Sequence, residues 1–329
     1  MFRIILALAA AALITPAVAD DSISEFPAGG LAFKDAVDIA IAREDLHLGI
    51  EQVTIRYDYS SAAEAKLHET MEFAMPLVPI DGSASELGGD QTLADPTNYM
   101  NLSARAGGKK VKLMLHGHAW FQGADITAEL KGDGIPAYLP YEDIEGVMGK
   151  VKPAVADDLV KRGLILRNDD GSYGEPQWLY QSVFDWQQDF APGTTRIDVT
   201  YTPLVGSPDA ATDYYVKDPD HKYCVGRRQL DKIAKYAGGA ATHHELTLGY
   251  LATTATNAQG PIGAFNLTID KQKLSPADQL VDSETAFCNM PSMQEDAAAF
   301  TWSATNYVPD RDIDIVWFGF YDLNAPLNH

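Results

Sequence analysis

Cysteine is scarce in this chain of 329 residues, which has only Cys224 and Cys288. One pair cannot build a four-cysteine zinc ribbon or a disulfide-dense scaffold, so the fold must rest on an apolar core. Positive charge is also in short supply. Lys and Arg number 25 against 46 Asp and Glu, a formal net charge of −21. A nucleic-acid backbone would be repelled by that balance, and no basic arm offsets it, which argues against DNA or RNA as a partner. After residue 19 no apolar run reaches the roughly 20 residues of a membrane-spanning helix. The signatures G-x-S-x-G, H-E-x-x-H and S-x-x-K of common hydrolases are absent too.

What is present is a globular composition, 46% hydrophobic and 10% aromatic. The start, Met1-Phe2-Arg3, the apolar run Ile4 to Ile14 and the small-residue stretch Ala17-Val18-Ala19 read as a secretory signal peptide over residues 1–19. The mature chain is then expected at 20–329, in the periplasm or secreted, with no transmembrane segment. In such an oxidising space Cys224 and Cys288 are most simply a disulfide, the alternatives being two thiols or part of a metal site.

Hydrophobic patterning is mostly of period two. Val53, Ile55, Tyr57 and Tyr59 alternate with polar residues, as do Met71, Phe73 and Met75 before Pro76, and the two runs read as arms of a long hairpin. Trp178, Tyr180, Ser182, Phe184 and Trp186 share one strand face. Pro192-Gly193 then suits a type II turn, and Ile197, Val199 and Tyr201 return, so 178–202 reads as a second hairpin. Between these stretches the period changes. Pro153 opens a helix with Val155 and Leu159 on one face and Gly163 past its end. The expected organisation is mainly β: an N-terminal β-rich part over 20–135, a helical connector over 136–170, and a C-terminal β-rich part over 171–329 with one helix near 227–236. Two sandwich-like parts follow, with an α+β arrangement as the alternative.

Punctuation along the chain resembles a bacterial family of exported proteins, the domain of unknown function 4424. The resemblance rests on Gly29-Gly30-Leu31, Glu44-Asp45-Leu46, Phe73-Ala74-Met75-Pro76, Gly123-Ala124-Asp125, Phe190-Ala191-Pro192-Gly193, Tyr223-Cys224, Gly260-Pro261-Ile262-Gly263, Phe287-Cys288 and Pro309-Asp310-Arg311-Asp312. It covers nearly all of the mature chain. It implies export, paired cysteines and one family unit, and it brings no catalytic residues.

Two sets of side chains invite a functional reading. His116 and His118, at i, i+2 on a strand, point to one face, and His243-His244 adds two more imidazoles; a Zn²⁺ or Cu²⁺ site would need three or four such ligands to converge. Otherwise the pair ends a strand on its solvent face, and no cofactor is expected. Trp178, Tyr180, Phe184 and Trp186 form either a buried ladder or an exposed interaction surface for a glycan or protein. The expected function is a non-enzymatic envelope or secreted binding module with an envelope protein or glycan as partner, and the alternative is a metal-binding protein or metal-dependent enzyme.

Overall fold

The computed structural model describes residues 28–29, 31–33, 38–80, 97–140, 143–207, 222–236, 241–272, 274, 280–288 and 290–322. The expected signal peptide at 1–19 lies outside them. The fold is mainly β, as its patterning predicts. Its largest element is an eight-stranded sheet in the order Gln294–Glu295, Ala299–Tyr307, Ile262–Asp270, Ile39–Leu48, Val53–Ser61, Gly193–Tyr201, Ser103–Ala106, Lys109–Lys110. Its neighbours are antiparallel except at the centre, where Ile262–Asp270 runs parallel to Ile39–Leu48. Strands from both sides of the helical stretch therefore interlace in one sheet.

Two smaller sheets lie over one face of the large one. A six-stranded sheet contains Ala124–Asp125, Met114–Phe121, Leu179–Phe190, Leu67–Ala74 and Ala32–Phe33, with Val78–Pro79 joining the long strand. It packs on the large sheet through ring contacts of Tyr59 with Phe190 (5.6 Å between centroids) and Phe73 with Tyr201 (5.3 Å). A four-stranded sheet, Ala28–Gly29, Ala241–Leu251, Ile313–Asp322 and Leu280–Phe287, covers the other half. There Phe287 meets Phe300 at 5.1 Å, and Trp317 Nε1 donates to Asp270 O at 2.8 Å. Ala28–Gly29 belongs to one small sheet and Ala32–Phe33 to the other, pairing with Tyr250–Leu251 and with Met71–Glu72.

Both expected hairpins are corrected. Val53–Ser61 pairs with Ile39–Leu48 and Gly193–Tyr201 in the large sheet, whereas Leu67–Ala74 pairs with Leu179–Phe190 in the six-stranded one. The turn at Pro192-Gly193 exists, with Gly193 at φ 94°, but it carries the chain from one sheet to the other. Turn type explains this. Type I and II turns twist against their flanking strands and splay them, while the primed types hold a hairpin together. The crossings at 61–67 and 190–193 run side by side, with Ser61 opposite Gly193 and Leu67 opposite Phe190. At that corner Asp189 accepts from Lys66 at 3.1 Å and from His68 at 2.5 Å.

The helical stretch forms Ile144–Met148 and Pro153–Lys161, the latter burying Ala156 and Leu159. Helix Arg227–Lys235 lies on the far face of the four-stranded sheet, where Ile233 joins Tyr223, Ala286, Val316, Phe318 and Phe320 in a second core. Strand Ile313–Asp322 is thus covered on both faces, which explains its unbroken apolar run from Ile315 to Phe318. Arg228 and Lys232, which a simple helical wheel puts on the solvent side, reach Glu284, and Lys232 also reaches Asp282 at 2.5 Å. The Cys224–Cys288 disulfide ties the segment before this helix to the end of Leu280–Phe287.

Candidate binding site

Strand Ile39–Leu48 changes phase partway along. Ile39 and Ile41 are buried, but further on it is Glu44, Leu46 and Leu48 that face the core. The switch is a β-bulge between Ile41 and Arg43 in the pairing with Val53–Ser61. A bulge inserts one residue and re-aims every side chain after it. Without it, Arg43, Asp45 and His47 would point into the apolar layer. The neighbouring strand accommodates the bulge with a glycine: a Cβ on Gly263 would stand 2.6 Å from the Ala42 carbonyl oxygen. The same device also turns an acid inward. Glu44 is 2% exposed.

Around Glu44 the polar groups are tyrosine hydroxyls. Tyr250 OH donates to Glu44 Oε1 at 3.2 Å and lies 3.3 Å from Tyr57 OH. The backbone of Leu31, next to Ala32–Phe33, hydrogen-bonds Tyr57. Among the described residues Glu44 Oε2 is buried without a hydrogen-bond partner. Among the described residues no basic side chain pairs with Glu44. Burial therefore dominates its titration: desolvation pushes the carboxyl up to about 8, the Tyr250 hydrogen bond opposes this, and the Asp45 charge adds to it. Tyr57, Tyr59 and Tyr250 are also pushed up, chiefly by burial. At neutral pH the site is a protonated acid among neutral phenols.

An aromatic group lies on the neighbouring strands. Phe265 stands directly opposite Glu44 on the parallel strand. Its ring lies 4.8 Å from Tyr307 and 5.9 Å from Trp302, and those two are 5.2 Å apart. Asn306, at φ 51°, breaks the alternation of Ala299–Tyr307 just before Tyr307. Burial raises the Tyr307 phenol, and the negative charges of Asp310 and Glu44 add to that, while Arg311 opposes it. Trp302 and Tyr307 are only partly buried, so the aromatic group reaches from Glu44 toward the surface.

The opposite face of the same strand is open and polar. Asp45, His47, Thr54, Arg56, Asp198, Asn266 and Thr268 line a depression of about 360 Å³. Charges there are already matched: Arg43 with Asp45 at 2.9 Å, Arg56 with Asp198 at 2.9 Å, and His47 with Asp270 at 2.7 Å. Asn266 Nδ2 donates to Asp45 Oδ1, and Ser303 Oγ donates to Asn266 Oδ1, each at 2.7 Å.

The residues singled out by sequence fall elsewhere. His116 and His118 lie on the six-stranded sheet and pair with Asp185 (3.1 Å) and Asp125 (2.9 Å). His243 and His244 lie on the four-stranded sheet, where His243 meets Glu245 at 3.0 Å and His244 Nε2 is 2.9 Å from Ser207 Oγ. The two pairs do not come together, and among the described residues no three His, Cys, Asp or Glu side chains gather as a metal site. Trp178, Tyr180, Phe184 and Trp186 are all buried, which makes them a core ladder and rules out an exposed stacking platform. Cys224 and Cys288 are joined. Glu44, Tyr57 and Tyr250 were not among the expected site residues. A signal for Glu44 is nevertheless present: the slip from odd to even apolar positions between Ile41 and Leu46 puts Glu44 on the Leu46 face.

Comparison with known families places the chain. It belongs to the family described as domain of unknown function DUF4424, which matches residues 19–316. A search of curated proteins gives no match. Among solved structures, a Legionella pneumophila protein described as a candidate nutrient-binding protein is similar at 10% identity and TM-score 0.44, over 88% of this chain and 70% of that one. An M1 zinc metallopeptidase of Deinococcus radiodurans aligns at 8% identity and TM-score 0.22, over 85% of this chain and 42% of its own. Neither likeness carries a functional argument. Among the described residues no helix is long and apolar enough to cross a membrane.

Proposed function

We propose that this member of the DUF4424 family is a non-enzymatic binding protein of the cell envelope or the secreted fraction, with Glu44 at the centre of its ligand site. The observation that carries this reading is the unused Glu44 Oε2 in a buried, preorganised setting. An unsatisfied buried polar group costs on the order of 1–3 kcal/mol, more if charged, and the fold recovers none of it. Such a group calls for an explanation, and a ligand supplies one.

Binding is favoured over turnover by the company Glu44 keeps. Acid–base chemistry shared between two groups needs a partner that titrates near the working pH. The neighbouring phenols of Tyr57, Tyr59 and Tyr250 are all pushed well above their ordinary range, leaving an acid with no base beside it. Export follows from the signal-like segment 1–19, and N-terminal sequencing of protein recovered from cells should begin at Asp20.

The test is Glu44→Gln. At neutral pH this variant should melt higher than wild type, because it removes an acid whose ionised form the core opposes. In a screen of small solutes it should lose the thermal shift that a ligand gives wild type. A variant that melts lower and keeps every ligand response would end this reading.

A further inference from the structure

We infer that the ligand taken up at Glu44 is an organic ammonium cation, held by the carboxylate on one side and by the Phe265, Tyr307 and Trp302 rings on the other. The inference rests on the binding role proposed for Glu44 and specifies its chemistry. Two independent features meet here. One is the buried carboxyl whose Oε2 has no partner among the described residues. The other is a group of three mutually touching rings that begins at Phe265, the residue opposite Glu44 in register, and reaches partly exposed positions at Trp302 and Tyr307.

Aromatic faces attract cations through the ring quadrupole, most strongly when desolvated, and alkylated ammonium groups are the cations such cages hold best. A metal ion fits poorly, because it needs several oxygen or nitrogen donors and here one carboxylate is surrounded by rings. An anion would face Glu44 and Asp310. A neutral apolar ligand would suit the rings but leave Oε2 unsatisfied. An alkylammonium satisfies both sides: its charge meets the carboxylate, and its methyl groups need no hydrogen-bond partner.

Charge balance makes the inference measurable. The acid is protonated in the empty protein at neutral pH, so binding an ammonium ion breaks the Glu44 O–H bond. The proton leaves to solvent and the carboxylate pairs with the cation. The groups facing Glu44 are Tyr57 and Tyr59 from the adjacent strand, Tyr250 from the four-stranded sheet, and Tyr307 with Asp310 and Arg311 beyond it; Asp45, on the opposite face of its own strand, acts on it through charge alone. The phenols are already protonated, so none of them takes up that proton. Below about 8, affinity should then fall about tenfold per pH unit, because the cation competes with one proton.

The experiment is calorimetric titration of tetramethylammonium chloride into the full chain at pH 6, 7 and 8, in buffers of different ionisation enthalpy. Sodium chloride and tert-butanol, a neutral molecule of similar shape, serve as controls. Expected are saturable binding, close to one proton released per cation at pH 7, and roughly fiftyfold tighter binding at pH 8 than at pH 6. Glu44→Gln should weaken binding at least tenfold and abolish proton release. Trp302→Leu should weaken it several-fold while leaving proton release in place. Equal binding of tert-butanol, pH-independent affinity, or unchanged binding by Glu44→Gln would overturn the ammonium assignment. If tetramethylammonium does not bind but another solute stabilises wild type and not Glu44→Gln, the ammonium assignment falls and the binding role stands. If no solute distinguishes the two proteins, both fall.

Discussion

Glu44 and Asp45 are adjacent in sequence and opposite in circumstance. Asp45 faces the open side of the large sheet, paired with Arg43 and bonded by Asn266. Glu44 faces the core with one tyrosine hydroxyl and, among the described residues, no counter-charge. The pair shows that an acid's importance depends on what shares its environment. Exposed charges arranged in pairs contribute little to stability, since solvent screens them and ordering them has an entropic cost. A lone buried acid makes the whole molecule responsive to pH.

The largest effect should therefore come from Glu44. Its ordinary value is 4.5, and in the fold it keeps its proton to about 8. Between those limits the native state binds the extra proton, so stability falls as pH rises through the window and levels off above it. At roughly 1.4 kcal/mol per unit, wild type should lose about 3–5 kcal/mol relative to Glu44→Gln between pH 4.5 and 8, read from urea denaturation. Parallel pH profiles for the two proteins would erase the contrast with Asp45. Gly263→Ala comes next. Its Cβ would meet the Ala42 carbonyl at 2.6 Å, forcing the bulge to move at a cost of about 1–3 kcal/mol. Because the bulge aims Glu44, this variant should also weaken the pH dependence, visible as a flatter melting profile.

Tyr250→Phe removes the hydroxyl that donates to Glu44 and should cost about 1–2 kcal/mol, with the pH window moved upward. Smallest is Asp45→Asn, expected to change stability by less than about 1 kcal/mol with no new pH dependence. A larger loss in chemical denaturation would show that the open face holds the sheet together more than its exposure suggests.

Strands that bury one face are legible in the sequence. Val53–Ser61 and Leu179–Phe190 carry period two, and Ile313–Asp322 shows the dense apolar run of a strand covered on both sides. Ala299–Tyr307 is readable too, with Phe300, Trp302 and Ala304 alternating with Thr301, Ser303 and Thr305. Ile39–Leu48 is harder, because the bulge breaks its pattern into two short pieces that each look too brief for a strand. Sheet membership was not legible: alternation identifies strands without naming their partners, and both corners imitate hairpins. In the candidate site, the phase slip that points Glu44 inward can be read from nearby residues. Tyr250, which meets it from 206 residues away, is brought there only by the stacking of two sheets.

That same long reach governs when the molecule can assemble. Ile39–Leu48 acquires its parallel neighbour Ile262–Asp270 only after more than two hundred further residues have been synthesised, and segment 28–29 waits for Tyr250 and Leu251. The earliest-made strands are thus among the last to gain their full set of partners. Contacts this remote in sequence slow folding by raising the entropy lost before they form. Until then the unpaired edges of Ile39–Leu48 and Val53–Ser61 are open to wrong strands, including those of another copy. Interrupting synthesis before residue 262 should therefore leave a fragment that aggregates, and extending it past residue 307 should restore a closed large sheet.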